Sequence, residues 1–253
     1  MAIYIANFKL NKTADEAIEW LQTFIKSVPE NVLSSNTILV AASPIVLPYL
    51  SEYISSNKLT GKVLLAAQDV SEFIDGEHTG AVSAKQLSSV VDAVIIGHAE
   101  VRSYLENFSE DIFNQKIKNC LDNNLRVILC VGEKLINRQN NEAILIIENQ
   151  LSADLANIHS TKLSNIIFAY EPVWAIGTGF AANSDEVTQG IEAIRNYISR
   201  QFNIDNAEVI YGGSSNLGNI ETLKKLKIDG YIVGKASLDP INFANFIISS
   251  LNI

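Results

Sequence analysis

A chain of 253 residues has room for one large domain or two small ones, and 47% hydrophobic against 19% charged residues excludes a disordered chain. Nineteen Lys+Arg against 28 Asp+Glu leave a net charge of −9, which argues against non-specific binding to nucleic acid or to an anionic membrane, since both need clustered cations. Two cysteines, Cys120 and Cys130, cannot build a disulfide framework at this length and fit free buried thiols in a reducing compartment. The opening MAIYIANFKLNK lacks the basic and apolar regions of a secretory signal. The longest nearly apolar stretch, Thr37 to Leu50, is shorter than the roughly 18 residues of a membrane span and is broken by Ser43, Pro44 and Pro48. The expectation is a soluble cytoplasmic protein.

Short β-branched runs alternate with longer stretches of helical period. The predicted strands are IYIAN (3–7), TILVAA (37–42), VLLAAQ (63–68), AVIIG (93–97), RVILCVG (126–132), NIIFAYE (165–171), EVIYGG (208–213) and GYIVG (230–234). Most are apolar at nearly every position, so both faces should be buried, as in a parallel sheet covered by helices. After the first strand, Thr13 and Glu16 read as a capping box that opens an apolar stripe of Ile18, Leu21, Phe24 and Ile25. Ser109 is expected to cap a helix through Ile112, Ile117 and Cys120, and Ser184 one through Val187, Ile191, Ile194 and Ile198. Asp239-Pro240 opens a last amphipathic segment. Eight β/α units without a linker or low-complexity segment predict an α/β fold, a (β/α)₈ barrel filling residues 1–253 as a single domain. A doubly wound sheet, the rival, usually carries G-x-G-x-x-G after its first strand, and none of the 13 glycines fits.

Barrel chemistry sits at the C-terminal ends of the strands, so the polar residues that close each strand are the candidates. Asn7 and Lys9 close the first; they project to one side if the extended geometry continues, and the lysine can hold an anion or simply be solvated. Gly97-His98 closes the fourth, a proton-moving group at the rim or a structural histidine. Glu171 ends the wholly apolar sixth strand, where an acid is expensive to ionise unless paired and is poised as a general base. The apolar loop VWAIGTG (173–179) follows, with the character of a water-excluding lid whose amides can meet an anion. Gly212-Gly213-Ser214 and Gly234-Lys235 close the last two strands, where barrels commonly bind phosphate through backbone N–H groups. Glu133 reads as structural, Cys130 as core and His159 as surface; the scattered histidines and cysteines give no metal pattern.

Together ANFKLN (6–11), VIIGHAEVR (94–102), VILCVGE (127–133), AYEPVWAIGTG (169–179), IYGGS (210–214) and DGYIVGKASL (229–238) resemble the triosephosphate isomerase family over the whole chain. The resemblance implies an isomerase of triose phosphates that needs no metal or organic cofactor and works as a homodimer. It makes Asn7 and Lys9 the substrate-contacting pair, His98 the neutral electrophile and Glu171 the base. Gly177, Ser214, Gly234 and Lys235 would offer amides to the phosphate. Glu100 would support the site, and Thr79, at the tip of the third loop (75–82), would reach the neighbouring subunit's site. The chain departs from the family pattern where Ala99 replaces a serine, Lys235 a glycine and Phe180 a basic residue of the lid hinge. Ala81 and Val101 replace an acid and an arginine that pair across the dimer; with both gone, neither charge is left alone. Ala99 and Lys235 bear on the rate, not on the reaction. Two other readings stand beside this one: a barrel enzyme acting on another phosphorylated sugar, which would not need Lys9, His98 and Glu171 together, and a phosphate-binding relative without activity.

Overall fold

The computed structural model describes residues 1–105, 111–175 and 182–251. Eight parallel strands close into a barrel in sequence order: β1 (Ile3–Asn7), β2 (Thr37–Ala42), β3 (Leu64–Ala67), β4 (Ala93–Ile96), β5 (Arg126–Val131), β6 (Ile166–Tyr170), β7 (Val209–Tyr211) and β8 (Gly230–Val233). Closure is made where Ile3, Tyr4, Ile5 and Ala6 pair with Gly230, Tyr231, Ile232 and Val233. Each predicted strand is present, and six are shorter than predicted by one to three residues, at one end or at both.

Alternation sorts each strand between two cores. Ile3, Ile5, Leu39, Ala41, Ala66, Ile95, Ile128, Cys130, Ile167, Ala169, Ile210 and Ile232 fill the lumen. Their neighbours Tyr4, Val40, Leu65, Val94, Leu129 and Phe168 face outward into the layer shared with the helices. The phase continues past the strand ends. Asn7 follows Ile3 and Ile5, Gln68 follows Ala66, Glu171 follows Ile167 and Ala169, Gly212 follows Ile210, and Gly234 follows Ile232, so these residues stand over the lumen.

Two helices hold the eighth loop at the rim. Helix α1 (Ala14–Ser27) starts at the expected capping box, with Glu16 N–H on Thr13 Oγ1 and Thr13 N–H on Glu16 Oε2. It buries Ala17, Trp20, Leu21 and Phe24 against α2 (Pro240–Ser250), which is capped by Asp239 as expected. Trp20 stacks on Phe24 at 5.0 Å and meets Phe8 edge-on, and its indole N–H donates to the Ser237 carbonyl at 2.8 Å. That bond ties the eighth loop to the helical layer. Helix caps differ from expectation in two places. The helix Ser184–Phe202 is capped by Asn183, not Ser184, because only Asn183 stands three residues before Glu186 and can close a reciprocal capping box. Ser109 lies outside the described residues, and the helix it was expected to cap runs from Ile112 to Asp122.

Candidate active site

A cavity of about 890 Å³ opens over the lumen at the C-terminal rim. Asn7, Lys9, His98, Glu171, Ser214, Gly234 and Lys235 all line it. Glu100 touches it through Lys9, and Gly177 lies outside the described residues. Thr79 is exposed on the loop after β3 and does not line the cavity of its own chain.

Glu171 is 1% exposed, and its two oxygens are treated differently. Oε2 accepts the Ala99 N–H at 2.8 Å. Among the described residues Oε1 has no hydrogen-bond partner, and it lies 3.5 Å from His98 Nε2. A buried acceptor left open costs stability, so its retention at a cavity points to a use. The missing hydroxyl at position 99 does not release the carboxylate, because the contact is made by the backbone. Gly212 makes room for it: a β-carbon there would meet Glu171 Cγ at 2.7 Å and Ile232 Cγ2 at 2.8 Å.

His98 is buried, and its Nδ1 accepts the Glu100 N–H at 3.2 Å. A neutral ring therefore carries its proton on Nε2, the nitrogen that faces Glu171. The preceding Gly97 sits at φ +73°, and a side chain there would strike the Arg102 guanidinium. Arg102 donates to the carbonyls of Gly97 and Cys130 and pairs with the buried Asp154. It thereby ties the end of β4 to the end of β5. Burial raises the Asp154 carboxyl, opposed by the Arg102 charge. Burial pushes the Cys130 thiol well up, and the nearby Glu171 charge adds to it. Cys120 is pushed up to about 12, again mainly by burial. Both cysteines are buried and unpaired, as expected of core thiols.

Lys9 does not continue the strand. Its φ is +51°, and its N–H turns back onto Asn7 Oδ1 at 3.1 Å, so the two side chains meet in the cavity through a turn and not through extended spacing. Its ammonium pairs with Glu100 at 2.7 Å, a part-exposed pair of low net worth that an anion can displace. The lysine stem runs beside the eighth loop, with Cε 3.4 Å from where a Gly234 β-carbon would stand. Lys235 is absent from the positive-φ residues and opens a 3₁₀ turn (Lys235–Ser237), whose Ser237 hydroxyl donates to the Val233 and Gly234 carbonyls.

Glu133 is structural, as expected: Oε1 accepts from Arg138 Nε at 2.7 Å, Trp174 Nε1 at 2.9 Å and the Tyr170 hydroxyl at 3.2 Å. Trp174 at the start of the sixth loop is thereby fixed. Gln68, Asn11 and Asn242 also reach the site or its walls and were not foreseen. Gln68 carried a readable signal, a polar residue closing an apolar strand; the two asparagines did not.

A buried carboxylate with one open oxygen, a histidine and a lysine at the rim of a closed (β/α)₈ barrel suit an enzyme of proton-transfer chemistry. The sequence profile of triosephosphate isomerase matches residues 2–250. Among curated relatives, the triosephosphate isomerase of Aquifex aeolicus is 38% identical over 96% of this chain and 97% of its own. That of Thermodesulfovibrio yellowstonii is 35% identical over 96% and 97%, and that of Clostridium beijerinckii 32% over 97% and 98%. The chain belongs to the triosephosphate isomerase family and is an isomerase.

Proposed function

We propose that the residues of this cavity interconvert D-glyceraldehyde 3-phosphate and dihydroxyacetone phosphate, a step of glycolysis and gluconeogenesis, in the following roles. Glu171 Oε1 takes the proton from one carbon of the substrate. The electron pair moves onto the carbonyl oxygen, giving an enediolate; His98 passes the hydroxyl proton to the former carbonyl oxygen, and Glu171 returns the carbon proton to the neighbouring carbon, so that the other oxygen becomes the new carbonyl. The step is redox-neutral. His98 Nε2–H donates to the substrate oxygens as charge develops; a carboxylate base beside a neutral histidine is the established logic of this family. Lys9, released from Glu100, supplies positive charge to the enediolate and the phosphate, and Asn7 orients it. The amides of Gly177, Ser214, Gly234 and Lys235 hold the phosphate. The open Glu171 oxygen 3.5 Å from His98 Nε2 is the observation that carries this reading. Isomerisation in D₂O, followed by proton NMR, tests it. Deuterium should enter the carbon that receives the proton, whereas product free of deuterium would argue against exchange through a carboxylate base.

The same reading extends to a homodimer of single-domain subunits in the cytoplasm. Leu10, Ile45, Phe73, Ile74 and Tyr104 are exposed on the segments that follow β1, β2, β3 and β4, four neighbouring strands of one rim. Leu135 and Ile136 after β5 and Leu217 after β7 are exposed at the same rim as well, so it is the number of such groups that supports a partner. The Phe73 ring stacks on His78 at 3.5 Å and braces the loop that carries Thr79. In the dimer that loop would meet the partner's site.

A further inference from the structure

Gln68 stands over the lumen directly after β3. Its amide nitrogen lies 3.1 Å from Asn7 Oδ1, 3.0 Å from the Lys9 carbonyl oxygen and 3.2 Å from the Ala41 carbonyl oxygen. Two N–H bonds thus serve three acceptors, and two of those acceptors belong to the turn that carries Lys9. That turn has left the β-ladder, so each of its backbone groups needs another partner. Phe8 N–H goes to the Ala41 carbonyl at 3.0 Å, and the Phe8 carbonyl accepts from Asn11 Nδ2 at 2.7 Å. Lys9 N–H goes to Asn7 Oδ1 at 3.1 Å, and the Lys9 carbonyl accepts from Gln68. Lysine is uncommon at φ +51° and keeps such a backbone only where its surroundings over-determine it. Among the described residues, Gln68 is the side chain from outside the turn that bonds its backbone.

We propose that Gln68 is a positioning residue of the isomerase: its amide clamps the Lys9 carbonyl and the Asn7 side chain together, locks Lys9 in the left-handed conformation and so aims the ammonium into the cavity. The proposal rests on the reading of Lys9 as the substrate-binding cation. Gln68 need not touch substrate. Its effect passes through the backbone of Lys9, and this separates it from a residue that merely stabilises the barrel.

A double-mutant cycle tests that path. Gln68→Met keeps the length of the side chain and removes both donors; Gln68→Leu takes its place if the Met variant does not fold. The probe is 2-phosphoglycolate, a phosphorylated carboxylate that resembles the enediolate, and its Kd is read by calorimetry in the native protein, Gln68→Met, Lys9→Ala and the double variant. The loss of one clamp should weaken binding about ten-fold in the native background, with a matching rise in KM. In the Lys9→Ala background the same change should cost less than about two-fold, since the cation it positions is gone. An equal loss in both backgrounds would overturn the proposal, because an effect carried by the fold or by subunit assembly persists without Lys9. Unchanged binding in Gln68→Met would also overturn it. Unchanged binding in Lys9→Ala alone would instead remove the reading of Lys9, and the proposal with it.

Discussion

At the residue scale, Lys235 stands at the cavity where the family pattern has a glycine, and the backbone accepts it without strain. Its φ lies outside the left-handed region and it begins a 3₁₀ turn, so the backbone needs no glycine there. The residue is exposed and lines the cavity. Lys235→Gly is therefore expected to change KM by only a few-fold and kcat hardly at all. A loss of ten-fold or more in kcat/KM, about 1.4 kcal/mol, would show that the ammonium itself holds the substrate. Much of the cavity lining could be read from the sequence, because polar residues closing apolar strands are few and the barrel brings such positions together. Asn7, His98, Glu171 and Ser214 were legible in this way. The turn at Lys9 was not, because its φ is imposed by Asn7 and Gln68, and Gln68 is 59 positions away along the chain. Glu171 was legible as an acid in a dry place. The division of labour between its oxygens was not, since the donor is a backbone N–H of Ala99.

At the scale of elements, burial on both faces makes the strands easy to find and hides their phase. Ile5 faces the lumen and Tyr4 the helices, yet both are apolar, so hydropathy alone cannot say which side of a strand leads to the site. Rim residues such as Asn7, Gln68 and Glu171, which continue the lumen phase, supply it. Caps are more local. Asn183 and Glu186 satisfy each other's backbone N–H groups at the start of the helix Ser184–Phe202. Asn183→Ala removes the acceptor for the Glu186 N–H and should cost about 1 kcal/mol. In a chain of this size that lowers the melting temperature by roughly 2–4 °C. A thermal scan checks it, and an unchanged melting temperature would show that solvent replaces the cap without loss.

At the scale of the molecule, the barrel brings Asn7, Lys9, His98, Glu171 and the seventh and eighth loops to one rim, and the proposed homodimer would cover the exposed apolar residues beside them. Shortening the loop between Asp75 and Gly80 should yield monomers of low activity, because Asn7, Lys9 and His98 would lose the support of the neighbouring subunit. Sedimentation and assay of one sample decide this, and a fully active monomer would contradict it. The closed barrel itself should survive that change, since β1 and β8 pair without the loop. The whole account turns on Glu171, the buried carboxylate with an open oxygen beside His98. Its central test is the steady-state isomerase rate of Glu171→Gln, which keeps the side-chain shape and removes the base. The account predicts that kcat falls by about 10²–10⁴-fold, roughly 3–5 kcal/mol of barrier, while KM stays within a few-fold of the native value. A variant with near-native kcat would contradict it.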